Sequence, residues 1–312
     1  MQETDQSTPT PPNTPTTFAS LSSIITDAKN HNNDIPQCQT TNIVTSVYVS
    51  SPRNEVLTLG AAVGNLCHQI LTLAPLDKDT TAGALPEDYS LSSSSSTSLS
   101  SLVSFWDTPS DNRQKIYDTI ASVFACLVKI SVVCCVDFRM SILKKIDLNG
   151  RKYPVELCKG KSGKYTAYSS QTGINKTNQS TLDIDIGIPQ DKDGHSSSSA
   201  HSAGEPSLDT VAAVSGFIRK FAMDRNWPRY HTPRNITLAM LGEAGELAEL
   251  FQWLGDQAGD DGGYGLLNTG WREQDVDSVQ QELADVAIYC LRLADVVGIE
   301  DLGRAVLNLY NN

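Results

Sequence analysis

The sequence predicts an all-α protein of two four-helix modules in tandem, with a disordered N-terminal arm and a polar linker. Three observations predict it. In the last third, apolar residues recur at spacings of three and four, and no stretch shows the period-two alternation of a strand. Helix start and stop residues fall at the ends of those runs. The first half also repeats the second. SPRNEVLTLGAAVGNLC (51–67) lines up with TPRNITLAMLGEAGELA (232–248) at an offset of 181, sharing PRN, the leucine spacing and Gly64/Gly245. A second block, SFWDTPSDNRQKIYDTIASVFACLVKISVVC, resembles the stretch from Gly270 to Val297 at an offset of 163 or 164.

Taken in order, residues 1–17 are Thr/Pro-rich and read as a disordered arm. Residues 18–160 form the first module, interrupted near 91–101 by the flexible run LSSSSSTSLSS. Within it, Ile120 to Phe138 has the length of a membrane span. Lys129 near its middle makes it a buried amphipathic helix instead. Residues 161–204 have the composition of a linker.

The final module, 205–312, is the clearest. Asp209 caps a first helix carrying Val211, Val214, Phe217, Ile218 and Phe221 on one face. Thr232-Pro233 opens a second, running to about Leu254 before a glycine-rich break. A third runs from about Asp275 to Val297, with Val276, Val279, Leu283, Val286, Cys290 and Leu293 as its stripe. Gly298 stops it, and a short fourth begins at Glu300-Asp301. Four helices joined by short loops make a bundle.

Charge and cysteine content narrow the function. Lys and Arg total 24 against 36 Asp and Glu, a net charge of −12, which disfavours nucleic-acid polymers as partners. A phosphate-bearing ligand therefore needs a cation as intermediary. The seven cysteines form no CxxC pair and are odd in number, so neither a disulfide framework nor a zinc site is indicated. A reducing compartment fits, and the N-terminus has neither a secretory nor a transit composition. The expectation is a cytosolic (cytoplasmic) protein with no membrane partner.

The acids of the last module carry the chemistry. Glu243, Glu246 and Glu249 recur every third residue, and Glu282 and Asp285 repeat the i, i+3 spacing beside Val279, Leu283 and Val286. Two such pairs on facing helices would gather four carboxylates, which cannot all ionise without a cation. Hard oxygen ligands select Mg²⁺, with Mn²⁺ the alternative. Glu249 by itself reads rather as part of a solvated face.

The block FAMDRNWPRYHTPRN…LGEAGELAELFQWLGD…W…QELADVAIYCLRLADVVGI resembles the MazG-like all-α nucleoside triphosphate pyrophosphatases, and among them the dCTP pyrophosphatases. It covers about Ser207–Leu309. The resemblance implies a MazG-like four-helix module that hydrolyses a nucleoside triphosphate, with dCTP or a related pyrimidine nucleotide as small-molecule substrate, to monophosphate and pyrophosphate. It implies Glu243, Glu246, Glu282 and Asp285 as Mg²⁺ ligands, and Trp227, Trp253 and Tyr289 as walls of a base pocket. Flat aromatic faces stack on bases at ~1–3 kcal/mol each. His231 and Asn235 could reach base or sugar. Glu246 or Glu249 is the candidate to orient or deprotonate the attacking water. Assembly as a homo-oligomer, or as an internal pseudo-dimer of the two modules, is also implied.

Two departures stand out. Ile218 occupies a first-helix position where the dCTP-type enzymes commonly carry a histidine. The family's basic tail is missing after the last module, yet KKIDLNGRKYP (144–154) in the first half matches it. Conversely, Ala62, Asn65 and His68 align with Glu243, Glu246 and Glu249. The Glu282/Asp285 pair becomes Asp118/Ala121 or Thr119/Ser122, so the first module reads as degenerate. Lys145, Asn149 and Arg151 would then serve the triphosphate of the second module. The competing reading is a pseudoenzyme, a nucleotide- or partner-binding bundle that lost turnover with its tail.

Overall fold

The computed structural model describes residues 15–27, 51–74, 105–106, 109–161, 208–253 and 271–311. The Ser-rich run 91–101 and nearly all of 161–204 lie outside the described residues. Nine helices are described: α1 (Phe18–Asp27), α2 (Pro52–Thr72), α3 (Asp111–Val133), α4 (Phe138–Lys152), the single turn α5 (Val155–Cys158), α6 (Val211–Asp224), α7 (Pro233–Phe251), α8 (Glu273–Val297) and α9 (Leu302–Asn311). No strand is present among them. The all-α class holds.

Each start has a local cause. The two PRN helices begin alike: Ser51 Oγ accepts the Asn54 amide at 3.2 Å and Thr232 Oγ1 accepts the Asn235 amide at 3.2 Å, with proline in the first turn of each. Such caps each contribute ~1 kcal/mol. The cap of α6 is Thr210 rather than Asp209. Thr210 Oγ1 accepts the Ala213 amide at 3.1 Å, while Asp209 is drawn into a 2.9 Å pair with Arg139. Gly298 ends α8 in the left-handed region (φ 87°), which frees the Ile299 amide to bond Ala294 O at 2.8 Å.

The helices bury one continuous core that draws on both halves of the chain, from Phe18, Leu59 and Phe124 to Met240, Leu283 and Val306. The packing pairs are matched across the repeat. Helix α2 packs on α3 as α7 packs on α8, and the two PRN helices α2 and α7 pack on each other, as do α3 and α8. Each half also sends a helix to the other: α4 lies against α8, and α9 lies against α3. A short antiparallel bridge joins Thr17 to Thr210, the residues that precede α1 and α6.

That bridge corrects the extent of the N-terminal arm. Thr16 and Thr17 are seated, not loose. Thr16 is buried over Gly303, where an added Cβ would come within 2.8 Å of its side chain. Residues 1–14 lie outside the described residues.

Helix α3 is long and apolar enough to cross a membrane, but its apolar window is mostly buried among other helices. The continuous Ile120–Phe138 helix read from hydropathy is instead broken. It ends at Val133, turns through Cys135 at φ 53°, and restarts at Phe138 behind the Asp137 cap. Lys129 sits over the Tyr310 ring of α9 at 5.8 Å, so its ammonium meets an aromatic face.

Candidate metal centre

Helices α7 and α8 lie side by side and hold the acids between them. Ala244 and Leu247 on α7, with Leu283 and Val286 on α8, are buried and fix the rotation of both helices. Glu243, Glu282 and Asp285 then converge, each offering an oxygen within 4.8 Å of the others. This is the one such group among the described residues.

Half-burial of like charges sets the electrostatics. Burial pushes Glu243 up to about 7, helped by the charges of Asp285, Glu246 and Glu282. Burial raises Glu282 and Asp285 as well. The opposing charge comes from the first half of the chain. Lys145 on α4 reaches Asp285 at 2.5 Å, Asn149 hydrogen-bonds the same carboxylate, and the Lys152 charge acts on Glu282 and Asp285. One acceptor is left over: Glu282 Oε2 is buried with no hydrogen-bond partner. An orphaned carboxylate oxygen among three converging acids is a fit for a hard divalent cation, which takes oxygen ligands.

The other candidates divide. Glu246 is exposed at the edge of the trio, and its charge acts on Glu243 and Glu282. Glu249 is not brought to the acids. It lines a separate groove of about 590 Å³ with Arg53, Val56 and Phe251, because six residues beyond Glu243 is well over a quarter-turn around the helix. Arg151 is likewise turned away and pairs with Asp147 at 2.5 Å on its own helix. The face that meets the acids carries Lys145, Asn149 and Lys152, at i, i+4 and i+7. That spacing is legible in the sequence and would have found Lys152.

An aromatic wall adjoins the acids. Tyr289 stands one turn beyond Asp285, and burial followed by the Glu243 and Asp285 charges raises its phenol far above the ordinary value. Tyr153 packs edge-on against Trp227 at 5.4 Å between centroids, and Trp227 in turn meets His231 at 5.9 Å. Trp227 is anchored by its indole N–H to Lys161 O at 3.0 Å, and Tyr230 OH donates to Gly160 O at 2.5 Å. Buried Arg225 donates to Tyr153 O at 2.8 Å, tying α6 to the end of α4. Tyr153, part of the KKIDLNGRKYP match, therefore belongs to the wall, as does Arg225, which the sequence did not single out.

Asn235 is committed locally, with Nδ2 donating to Tyr230 O at 3.0 Å. Trp253, just past α7, is 87% exposed. Ile218, noted as a departure from the dCTP-type pattern, is buried in the core.

Carboxylates from two neighbouring helices converge inside an all-α bundle, a group that could hold a metal ion. Comparison with known proteins gives the particular relatives. The chain is similar to dCTP pyrophosphatase 1 of Homo sapiens, 41% identical over 104 residues, which is 33% of this chain and 55% of that protein. The Rattus norvegicus protein of the same name is 39% identical over 105 residues, 33% and 55% of the two chains, and the Bos taurus one 37% over 105, 34% and 56%. The chain spans about half the length of these curated relatives. Over that stretch it is a relative of the dCTP pyrophosphatases. No family model and no solved structure matches it.

Proposed function

We propose that the chain hydrolyses (deoxy)nucleoside triphosphates, dCTP or a related pyrimidine nucleotide, to the monophosphate and pyrophosphate. Mg²⁺, or Mn²⁺ in its place, is held by Glu243, Glu282 and Asp285, with Glu246 at the rim. The observation that carries this reading is the convergence of three carboxylates around an unpartnered, buried Glu282 oxygen. A divalent ion bound there supplies the positive charge that triphosphate oxygens need on an acidic surface.

The chain's own groups do the rest. Glu246, exposed and next to the trio, is the carboxylate that accepts a proton from water; Glu249, in another groove, is less suited. Lys145 and Asn149 hold Asp285 in one orientation, and Lys145 with Lys152 adds positive charge where phosphates would lie. Trp227, Tyr153 and Tyr289 form the wall against which a base stacks. The presence of Lys145 on Asp285 favours turnover over the pseudoenzyme reading, because the basic face of α4 lies against the acids of α8. We read the matched helix pairings as an internal pseudo-dimer in which a metal-free first half completes the site of the second. Its role would be cleansing the nucleotide pool of the cytosol.

The test is pyrophosphate release from a panel of deoxynucleoside triphosphates, with Mg²⁺ and with chelator, for the intact chain and for Glu282→Gln. Metal-dependent release that the substitution reduces at least roughly a hundredfold is the expected result. Absence of release from every nucleotide, by a chain with an intact helical spectrum, would overturn it.

A further inference from the structure

One charge network, buried at Arg292 and Asp295, touches the aromatic wall on the far side from the acids. Arg292 lies on α8, seven residues beyond Asp285 and three beyond Tyr289, on the same stripe. It is buried, with 6% exposure. Its Nε donates to His231 Nδ1 at 3.0 Å, and its Nη1 pairs with Asp295. Asp295 also accepts from Arg219 Nε of α6 at 2.5 Å. Two arginines and an aspartate from two helices thus end on one imidazole.

We propose that Arg292 is a positioning residue that fixes His231 as a neutral Nε2–H donor in the wall beside Trp227. This rests on reading that wall as the nucleobase subsite. A guanidinium has five N–H donors, no acceptor, and does not release a proton in proteins. The nitrogen it donates to must therefore carry a lone pair, which makes Nδ1 the acceptor and leaves the hydrogen on Nε2. Protonating His231 would set two cations against each other at hydrogen-bond distance. Burial and the Arg292 charge accordingly depress the imidazole to about 4. The ring is also held by its backbone: the His231 amide donates to Trp227 O at 3.1 Å, so indole and imidazole move as one turn.

A fixed Nε2–H donor beside a stacking indole recognises an acceptor on the base edge, a carbonyl oxygen or ring nitrogen such as cytosine and uracil present. It does so at unchanged strength across neutral pH. The chain thereby obtains a base-facing histidine from the turn after α6, where Ile218 on α6 is committed to the core. The simpler role for the network is to clamp α6 to α8, and the experiment separates the two.

Histidine-selective ¹⁵N NMR on the full chain, assigned with His231→Gln, reads the tautomer directly. The intact chain should show His231 as Nε2–H and without titration between about pH 5 and 8. In Arg292→Met/Asp295→Asn, which removes both charges together, His231 should titrate inside that window. KM for dCTP should rise roughly tenfold with kcat within about twofold, and Arg292→Lys should recover part of the loss. An Nδ1–H tautomer or ordinary titration in the intact chain would overturn the proposal, as would a freely titrating His231 with KM unchanged. If the double variant does not fold, the tautomer of the intact chain and the KM of Arg292→Lys decide. Binding of α,β-imido-dCTP separates this proposal from the hydrolase reading. A shifted His231 resonance in a chain that turns nothing over would keep the subsite and sink the enzyme. Hydrolysis of dCTP without any His231 perturbation would do the reverse.

Discussion

Lys145 on α4 and Asp285 on α8 lie 2.5 Å apart, each only 14% exposed, although 140 residues separate them in the chain. One is from the half that lacks the acids and the other from the half that holds them. The pair is a direct contact between the two. Replacing Lys145 with Ala leaves Asp285 half-buried without its cation, a loss on the order of 1–3 kcal/mol for a charged hydrogen bond. Thermal unfolding of the metal-free variant should therefore come at lower temperature, and the deficit should shrink on adding Mg²⁺. In pyrophosphate-release assays kcat/KM should fall at least roughly tenfold. Unchanged stability and rate would show that α4 packs on α8 without serving the site.

The orientation of α4 makes a sharper prediction. Lys152→Ala should reduce kcat/KM, because its charge acts on Glu282 and Asp285. Arg151→Ala, which removes only an exposed pair with Asp147, should change it by less than about twofold and stability by no more than ~0.5 kcal/mol. Steady-state kinetics of the two variants side by side test this. The opposite ranking would mean that α4 is rotated from the face described.

Glu243 gives a pH dependence with a definite sign. Its folded pKa, about 7, lies above the ordinary glutamate value, so between about 4.5 and 7 the folded metal-free chain binds more protons than the unfolded one. Stability from this group is present at the acid end of that window and lost as pH rises through 7. His231, depressed to about 4, acts oppositely, destabilising as pH falls below its ordinary value. Substitution separates them. Glu243→Gln should raise the melting temperature of the metal-free chain at pH 8 and change it little at pH 5. Equal effects at both pH values would contradict the crowding of carboxylates.

Trp253 and Trp227 should behave differently. Trp253 is 87% exposed, so Trp253→Ala should cost less than ~0.5 kcal/mol of stability. If it closes over a base from the end of α7, nucleotide affinity should still fall by ~1–3 kcal/mol. Trp227→Ala should reduce both affinity and stability, since its ring packs against Phe221, Tyr153 and His231. Titration calorimetry with α,β-imido-dCTP, paired with thermal melts, distinguishes a lid from a wall.

Much was legible in the residues because it is local. Proline in the first turn behind Ser51 and Thr232, the glycine at 298 and the three-four spacing of apolar residues are short-range constraints, and they place the helices to within a few positions. The same spacing puts Glu282 and Asp285 on one face of α8 and Glu243 on the buried side of α7. It would have added Lys152 and set aside Arg151 and Glu249, since all three follow from helical rotation alone. What local spacing cannot carry is which helix faces which. That α4 crosses to α8, that Lys145 meets Asp285, that Tyr153 meets Trp227, and that Arg292 meets His231 are contacts between residues far apart in sequence. They are fixed by how one shared core is filled, so only the tertiary structure decides them.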